Sequence, residues 1–158
     1  MQRGAGALWR LTLGEIVQGV RDRRHGCVDV MRAHLARCAE KEPFVQAWEH
    51  YDADCAMTAA EAADARLRSG GAARELEGAP LGIKDVIDVA GMPTRMGSRI
   101  MASNVARVTA ECVARLEAAG AIVVGKTVTT EFAYYTPGKT RNPWNAAHTP
   151  GGSSSGSA

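Results

Sequence analysis

The stretch Gly120-Ala121-Ile122-Val123-Val124-Gly125-Lys126-Thr127 can be read in two ways, and the choice between them decides the fold. Letter by letter it matches the phosphate-binding pattern G-x-x-x-x-G-K-[ST]. A phosphate loop needs a strand before its first glycine, a flexible cradle of backbone N–H groups between the glycines, and a helix after the lysine. Here the preceding residues, 109–119, carry helical periodicity, with Val113 and Leu116 inward and Gly120 as the stop. The four residues between the glycines are Ala, Ile, Val and Val. Their β-branched side chains favour an extended chain whose N–H groups pair with neighbouring strands. The stretch therefore reads as a strand buried on both faces, and nucleotide binding is set aside.

Working outward, LGIKDVIDVAG (residues 81–91) is β-branched and bounded by turn formers, which predicts a strand running into a loop at Gly91-Met92-Pro93. Strand, helix and strand in that order argue for an α/β sheet with right-handed crossovers. Nearer the start, Thr12-Leu13-Gly14-Glu15 forms a capping box, followed by Ile16, Val17 and Val20 on the face of Leu13. A second helix is expected from about Val28, with Met31, Leu35 and Cys38 on its stripe, ending before Pro43. Residues 44–48 suggest a short strand. An alanine-rich helix comes next, from about Ala53 to Arg68, closed by Gly70-Gly71.

The 158 residues suffice for one domain with a core, and 46% hydrophobic content is ordinary. A net charge of +2 with no clustered basic face argues against direct nucleic-acid binding. The run Arg21-Asp22-Arg23-Arg24-His25 reads as a solvated helix end. No apolar run approaches the roughly 20 residues a membrane span requires, and the opening MQRGAGALWRLTL does not read as a signal peptide. Cys27, Cys38, Cys55 and Cys112 are scattered without a CxxC pair, which suits a reducing cytoplasm. His25, His34, His50 and His148 lack metal-ligand spacing, so a metal site is unsupported.

Two further segments carry chemistry. The chain closes on Pro150-Gly151-Gly152-Ser153-Ser154-Ser155-Gly156-Ser157-Ala158, which by composition alone is a flexible Gly/Ser linker. The other, Gly82-Ile83-Lys84-Asp85, is by itself an ordinary strand end with a lysine. Taken with PLGIKDVIDVAGMPTRMGS, LEAAGAIVVGKTVTTEFAY and TRNPWNAAHTPGGSSSGSA, they give a chain that resembles the amidase signature family of serine amidohydrolases, most strongly over residues 75–158. The resemblance implies an α/β fold with a central mixed sheet flanked by helices. The expected organisation is a single incomplete domain over 1–158, with 1–72 mainly helical and 73–158 α/β.

Carried over by residue, the family's catalytic lysine falls on Lys84. Its bridging serine, which follows a cis peptide bond, falls on Ser153, 69 residues later. Ser154, Gly151 and Gly152 are expected to support the same hydrogen-bonded loop. The nucleophilic serine and the oxyanion donors lie further on in the family, past the end of this sequence. The 158 residues are therefore expected to be inactive alone. The residue types suit the chemistry: a lysine that removes a proton must be neutral, and burial disfavours its charged form. A hydroxyl can accept and donate at once, so a serine can relay that proton. Thr94, Gly97, Ser98, Glu131 and Asn142 match the family's style but read more simply as turn and hydrogen-bonding residues. Asp85 reads as a salt-bridging neighbour rather than a second base.

The function so implied is hydrolysis of a small-molecule amide through a serine acyl-enzyme, with no metal or organic cofactor implied, in a cytoplasmic protein with room for a homodimer. Two alternatives stay open. One is the glutamine-hydrolysing component of a tRNA-dependent amidotransferase, its A chain, and the other is a non-catalytic remnant of the scaffold.

Overall fold

The computed structural model describes residues 5–158, so that part of the signal-peptide reading resting on residues 1–4 lies outside the described residues. A 3-10 turn over Ala5–Arg10 leads into α1 (Leu13–Arg21). The Glu15 amide donates to Thr12 Oγ1 at 3.3 Å, and the Thr12 amide donates to Glu15 Oε2 at 2.8 Å, closing the capping box. Ile16, Val17 and Val20 are buried, but Leu13, on the first turn, is exposed.

Two expectations about the next elements are corrected. Helix α2 (Cys27–Val45) does not stop before Pro43 but carries the proline inside its last turn. Proline removes one backbone donor, and Glu42 reorganises the residues just beyond it. Its carbonyl accepts the Gln46 amide at 2.9 Å, and its carboxylate accepts the amides of Ala47 (2.9 Å) and Trp48 (3.0 Å). Gln46 then turns into the left-handed region (φ 56°), which ends the helix. Residues 44 and 45 are thus helical, and the strand expected over 44–48 begins only at Trp48, as β1 (Trp48–Tyr51). Helix α3 (Ala53–Arg68) has the predicted bounds, with the Asp52 carboxylate accepting the Cys55 amide at 2.9 Å.

β2 (Pro80–Lys84) is shorter than its β-branched run suggests. The Lys84 carbonyl accepts the amides of both Val86 (2.8 Å) and Ile87 (2.9 Å), so the chain turns immediately after the lysine. Helix α4 (Glu111–Ala118) buries Val113 and leaves Leu116 half-buried. It is succeeded by β3 (Ile122–Thr127), all six residues of which are buried.

The strands form one mixed sheet in the order β1-β3-β2. β1 is antiparallel to β3, pairing Trp48 with Thr127, His50 with Lys126 and Tyr51 with Gly125. β2 runs parallel to β3: the Ile122 amide donates to the Ala79 carbonyl (2.8 Å) and the Asp85 amide to the Thr127 carbonyl (2.9 Å), so both numbers advance together. The glycine that completes the phosphate-loop lettering serves this pairing. A Cβ on Gly125 would fall 2.2 Å from the His50 carbonyl oxygen. The stretch is a central strand, with its amides committed to neighbours.

The fold comprises two compact units. One gathers the described residues up to 39 with 52–81 and 115–124; the other holds 40–51, 82–114 and 125–158. In the first, α1, α2 and α3 bury Val20, Cys27, Val30, Met31, Ala56 and Ala60. Asp64 on α3 accepts the amides of Cys27 (2.8 Å) and Val28 (3.1 Å), capping α2 from a neighbouring helix. Burial and the nearby Asp64 push the Cys27 thiol up to about 12, so it is an inert core group. The fully buried Glu77 is gripped by two arginines. Arg74 Nη2 donates to its Oε1 at 2.9 Å, and Arg66 Nη2 donates to its Oε2.

Burial alone would raise the Glu77 carboxyl, but hydrogen bonds from Arg74 and the charges of both arginines hold it below its ordinary value. A depressed carboxyl contributes stability that is present above the unfolded pKa, about 4.3, and is lost as pH falls through the folded value. Glu77→Gln is expected to cost about 2 kcal/mol at neutral pH. Thermal melts should also show a shallower loss of stability than wild type between about pH 5 and pH 3.

Candidate active site

The second unit contains both segments singled out for chemistry. β2 delivers Lys84, half-buried, at its last position. Lys84 Nζ donates to Ser153 Oγ at 2.5 Å. The peptide bond before this serine, Gly152–Ser153, is cis. Gly151 takes φ +99°, and its amide donates to Thr149 Oγ1 at 3.0 Å. Gly152 is exposed, and a Cβ there would approach the Thr130 methyl at 2.9 Å.

The terminal Gly/Ser stretch is docked along the end of β3. Ser155 is buried and its Oγ donates to the Val128 carbonyl at 3.4 Å; the Gly156 amide donates to the same carbonyl at 2.9 Å. The hydroxyls of Ser157 and Thr127 meet at 2.9 Å. Ser154 is exposed, and its carbonyl accepts the amides of Ser157 (3.0 Å) and Ala158 (3.1 Å). The serine that composition leaves as a small loop residue, Ser155, is therefore the one that anchors the loop.

What sets the separation of Lys84 from Ser153 is the backbone of residues 127–130. The Thr127 carbonyl accepts the amide of Asp85, the residue next to the lysine, at 2.9 Å. Three residues later the Thr130 amide donates to the carbonyl of Ser153 itself at 3.2 Å. Between them the Val128 amide donates to the Ala47 carbonyl at 2.9 Å. One short extended segment thus holds both partners in backbone hydrogen bonds, where side-chain rotation cannot loosen them.

Behind Lys84 lies a buried ionic cluster. Adjacent strand-end residues point to opposite sides, and Asp85 is fully buried where Lys84 is not. Asp85 Oδ1 lies 3.3 Å from Lys126 Nζ, also fully buried, and Oδ2 accepts the Arg95 amide at 3.0 Å. Lys126 Nζ donates to the Pro93 carbonyl (3.0 Å) and to Thr94 Oγ1 (2.8 Å). Burial pushes the Asp85 carboxyl up and the Lys126 ammonium down, and each opposes the other's shift through its charge. Removing one partner alone leaves a buried charge uncompensated, at a cost of about 3–5 kcal/mol.

The residues read as turn and hydrogen-bonding groups do that work. Ser98 Oγ donates to Glu131 Oε1 at 2.7 Å, and Asn142 Oδ1 accepts the Trp144 amide at 2.9 Å. Lys126 is the residue that sequence reasoning passed over, because attention went to the motif it completes. Its signal was present: a lysine inside an all-apolar strand must bury its charge and needs an acid partner. Among the described residues no group of three His, Cys, Asp or Glu side chains is placed to hold a metal ion, and no helix is long and apolar enough to cross a membrane.

The chain belongs to the amidase signature family: the family model described as Amidase matches residues 29–158. It is 42% identical over 157 residues to the A chain of the glutamyl-tRNA(Gln) amidotransferase of Acidothermus cellulolyticus, covering 96% of this chain and 31% of that relative. Among solved structures it resembles the peptide amidase of Stenotrophomonas maltophilia (31% identity, TM-score 0.83), covering 92% of this chain and 32% of that one. Fatty acid amide hydrolase, at 23% identity and TM-score 0.88 over 96% of this chain and 28% of its own, shares the fold. The chain spans about a third of the length of the relatives it matches.

A Cβ on Gly156 would lie 2.3 Å from the Ala47 carbonyl oxygen and 2.4 Å from the Val128 nitrogen, both backbone atoms that cannot step aside. Gly156→Ala is accordingly expected to lift the loop off β3. In hydrogen exchange the amide at position 156 and that of Thr130 should lose protection at least about tenfold, while the amides of α3 keep theirs.

Proposed function

We propose that these residues belong to an enzyme that hydrolyses a carboxamide C–N bond through a serine acyl-enzyme. Lys84 is the base and Ser153 the relay. The observation that carries this reading is the 2.5 Å contact between Lys84 Nζ and Ser153 Oγ. In its neutral form Lys84 accepts the proton of Ser153, while the Ser153 oxygen accepts the proton of the nucleophile. The nucleophilic serine forms a bond to the amide carbon, and the C–N bond breaks as Lys84 returns the proton through Ser153 to the leaving amine. Water then hydrolyses the acyl-enzyme, its proton passing back to the nucleophilic serine.

A second reading is favoured by the relative from Acidothermus cellulolyticus, named as the A chain of an amidotransferase and 42% identical. In it the amide is the side chain of glutamine, and the ammonia passes to a partner protein. The two readings share the site and differ in substrate and company.

Both are tested in the gene product that carries this segment. Ammonia release is measured from simple carboxamides and from glutamine, with and without co-expressed partner subunits. Lys84→Ala and Ser153→Ala are each expected to lower kcat by at least about 1000-fold, the scale of losing a member of a proton-transfer chain. Full activity in either variant contradicts the assigned roles. Hydrolysis of glutamine only with a partner selects the second reading, and hydrolysis of simple amides by the protein alone selects the first.

A further inference from the structure

Lys126 has no part in the proton chain, yet it is one of the largest fully buried side chains of the molecule. Its ammonium reaches three groups: the Pro93 carbonyl, Thr94 Oγ1 and, at 3.3 Å, Asp85 Oδ1. Each of these belongs to the structure immediately behind Lys84. Asp85 is bonded to the lysine's own peptide. Its carbonyl accepts the Met96 amide at 3.0 Å, its Oδ2 the Arg95 amide, and its amide reaches Thr127. The carbonyl and Oδ2 of Asp85 thus hold the chain at 95–96, its amide holds β3, and Oδ1 faces the Lys126 ammonium as an ion pair, so Lys126 touches both Asp85 and the 93–94 turn.

We infer that Lys126 is a positioning residue for the amide-hydrolysing reaction. Clamped between Asp85 and the Pro93–Thr94 turn, it fixes the direction from which Lys84 reaches Ser153. This rests on the function proposed above. Two geometric facts carry it. Lys126 lies one residue before the 127–130 segment that sets the Lys84–Ser153 separation. Its partner, Asp85, lies one residue after Lys84. The ion pair ties the start of that ruler to the base of the catalytic lysine. Without it the backbone bond from Asp85 to Thr127 and the Arg95–Glu49 ion pair (3.1 Å) remain, and what is lost is the cation on the Asp85 carboxylate together with its two bonds to the 93–94 turn. A purely structural pair would serve stability alone, and replacing both charges with neutral groups of similar size would then leave catalysis intact.

The test uses the gene product carrying this segment, with three variants: Lys84→Ala, Lys126→Met, and the double variant Lys126→Met/Asp85→Asn. The double variant removes both charges together, so it stays folded if a lone buried carboxylate is what unfolds the single one. Active sites are counted by labelling with a fluorophosphonate, and kcat and KM are measured per labelled site. The expected result for the double variant is a thermal melt near wild type, KM within about threefold, and kcat lower by about 100-fold, the scale on which small misplacement acts. Wild-type kcat per labelled site in the double variant overturns the positioning role and leaves Lys126 a stabilising residue. Full activity in Lys84→Ala overturns the site reading instead, and the inference about Lys126 falls with it. A loss of kcat confined to Lys126→Met, restored in the double variant, also overturns it.

Discussion

Four residues of backbone decide whether this molecule has a site at all. Residues 127–130 take the amide of Asp85 at one end and offer an amide to the Ser153 carbonyl at the other. A lysine and a serine 69 positions apart in sequence are thereby brought within reach of each other. Long side chains alone cannot hold such a separation cheaply, because each rotatable bond they freeze costs entropy. A buried central strand can, since its amides have no alternative partner in water.

The rest of the second unit is built to keep that segment straight and dry. Gly125 lets β1 approach on one side, and Gly156 lets the serine loop approach just beyond β3. Thr127, Thr129 and Thr130 are buried, so their hydroxyls sit where an apolar strand would place methyl groups. One of them holds the loop, Thr127 through the Ser157 hydroxyl, while Thr129 donates to the adjacent Thr130 carbonyl at 3.0 Å. The Lys126–Asp85 pair places two fully buried charged side chains in this unit. Hydrophobic residues of similar size often pack as well as a buried pair, so its presence beside the lysine calls for a reason beyond packing.

Much of this was legible in the sequence, and the limits have physical causes. The capping box at Thr12, the bounds of α3 and the buried character of β3 rest on local patterns, and local patterns survive folding. The end of α2 was not legible, because Glu42, just before the proline, takes the Gln46 amide on its carbonyl and the amides of Ala47 and Trp48 on its carboxylate, and nothing local foretells that. β2 stops earlier than its β-branched residues suggest because the Lys84 carbonyl is taken by two amides just ahead of it. Lys84 and Ser153 were found through resemblance of ordered segments. Their meeting was not derivable from either segment alone, and neither was the burial of Ser155 rather than Ser154. Lys126 was visible as an anomaly, a charge in an apolar run, but its partner was separated by 41 positions of sequence.

The most direct test is a crystal structure of the gene product carrying these residues, read for one distance. Lys84 Nζ is expected within about 3.2 Å of Ser153 Oγ, with the Asp85 amide on the Thr127 carbonyl and the Thr130 amide on the Ser153 carbonyl. Lysine turned to solvent, with those two backbone bonds intact, would contradict the central claim, because the segment would then be holding the chain without setting the site.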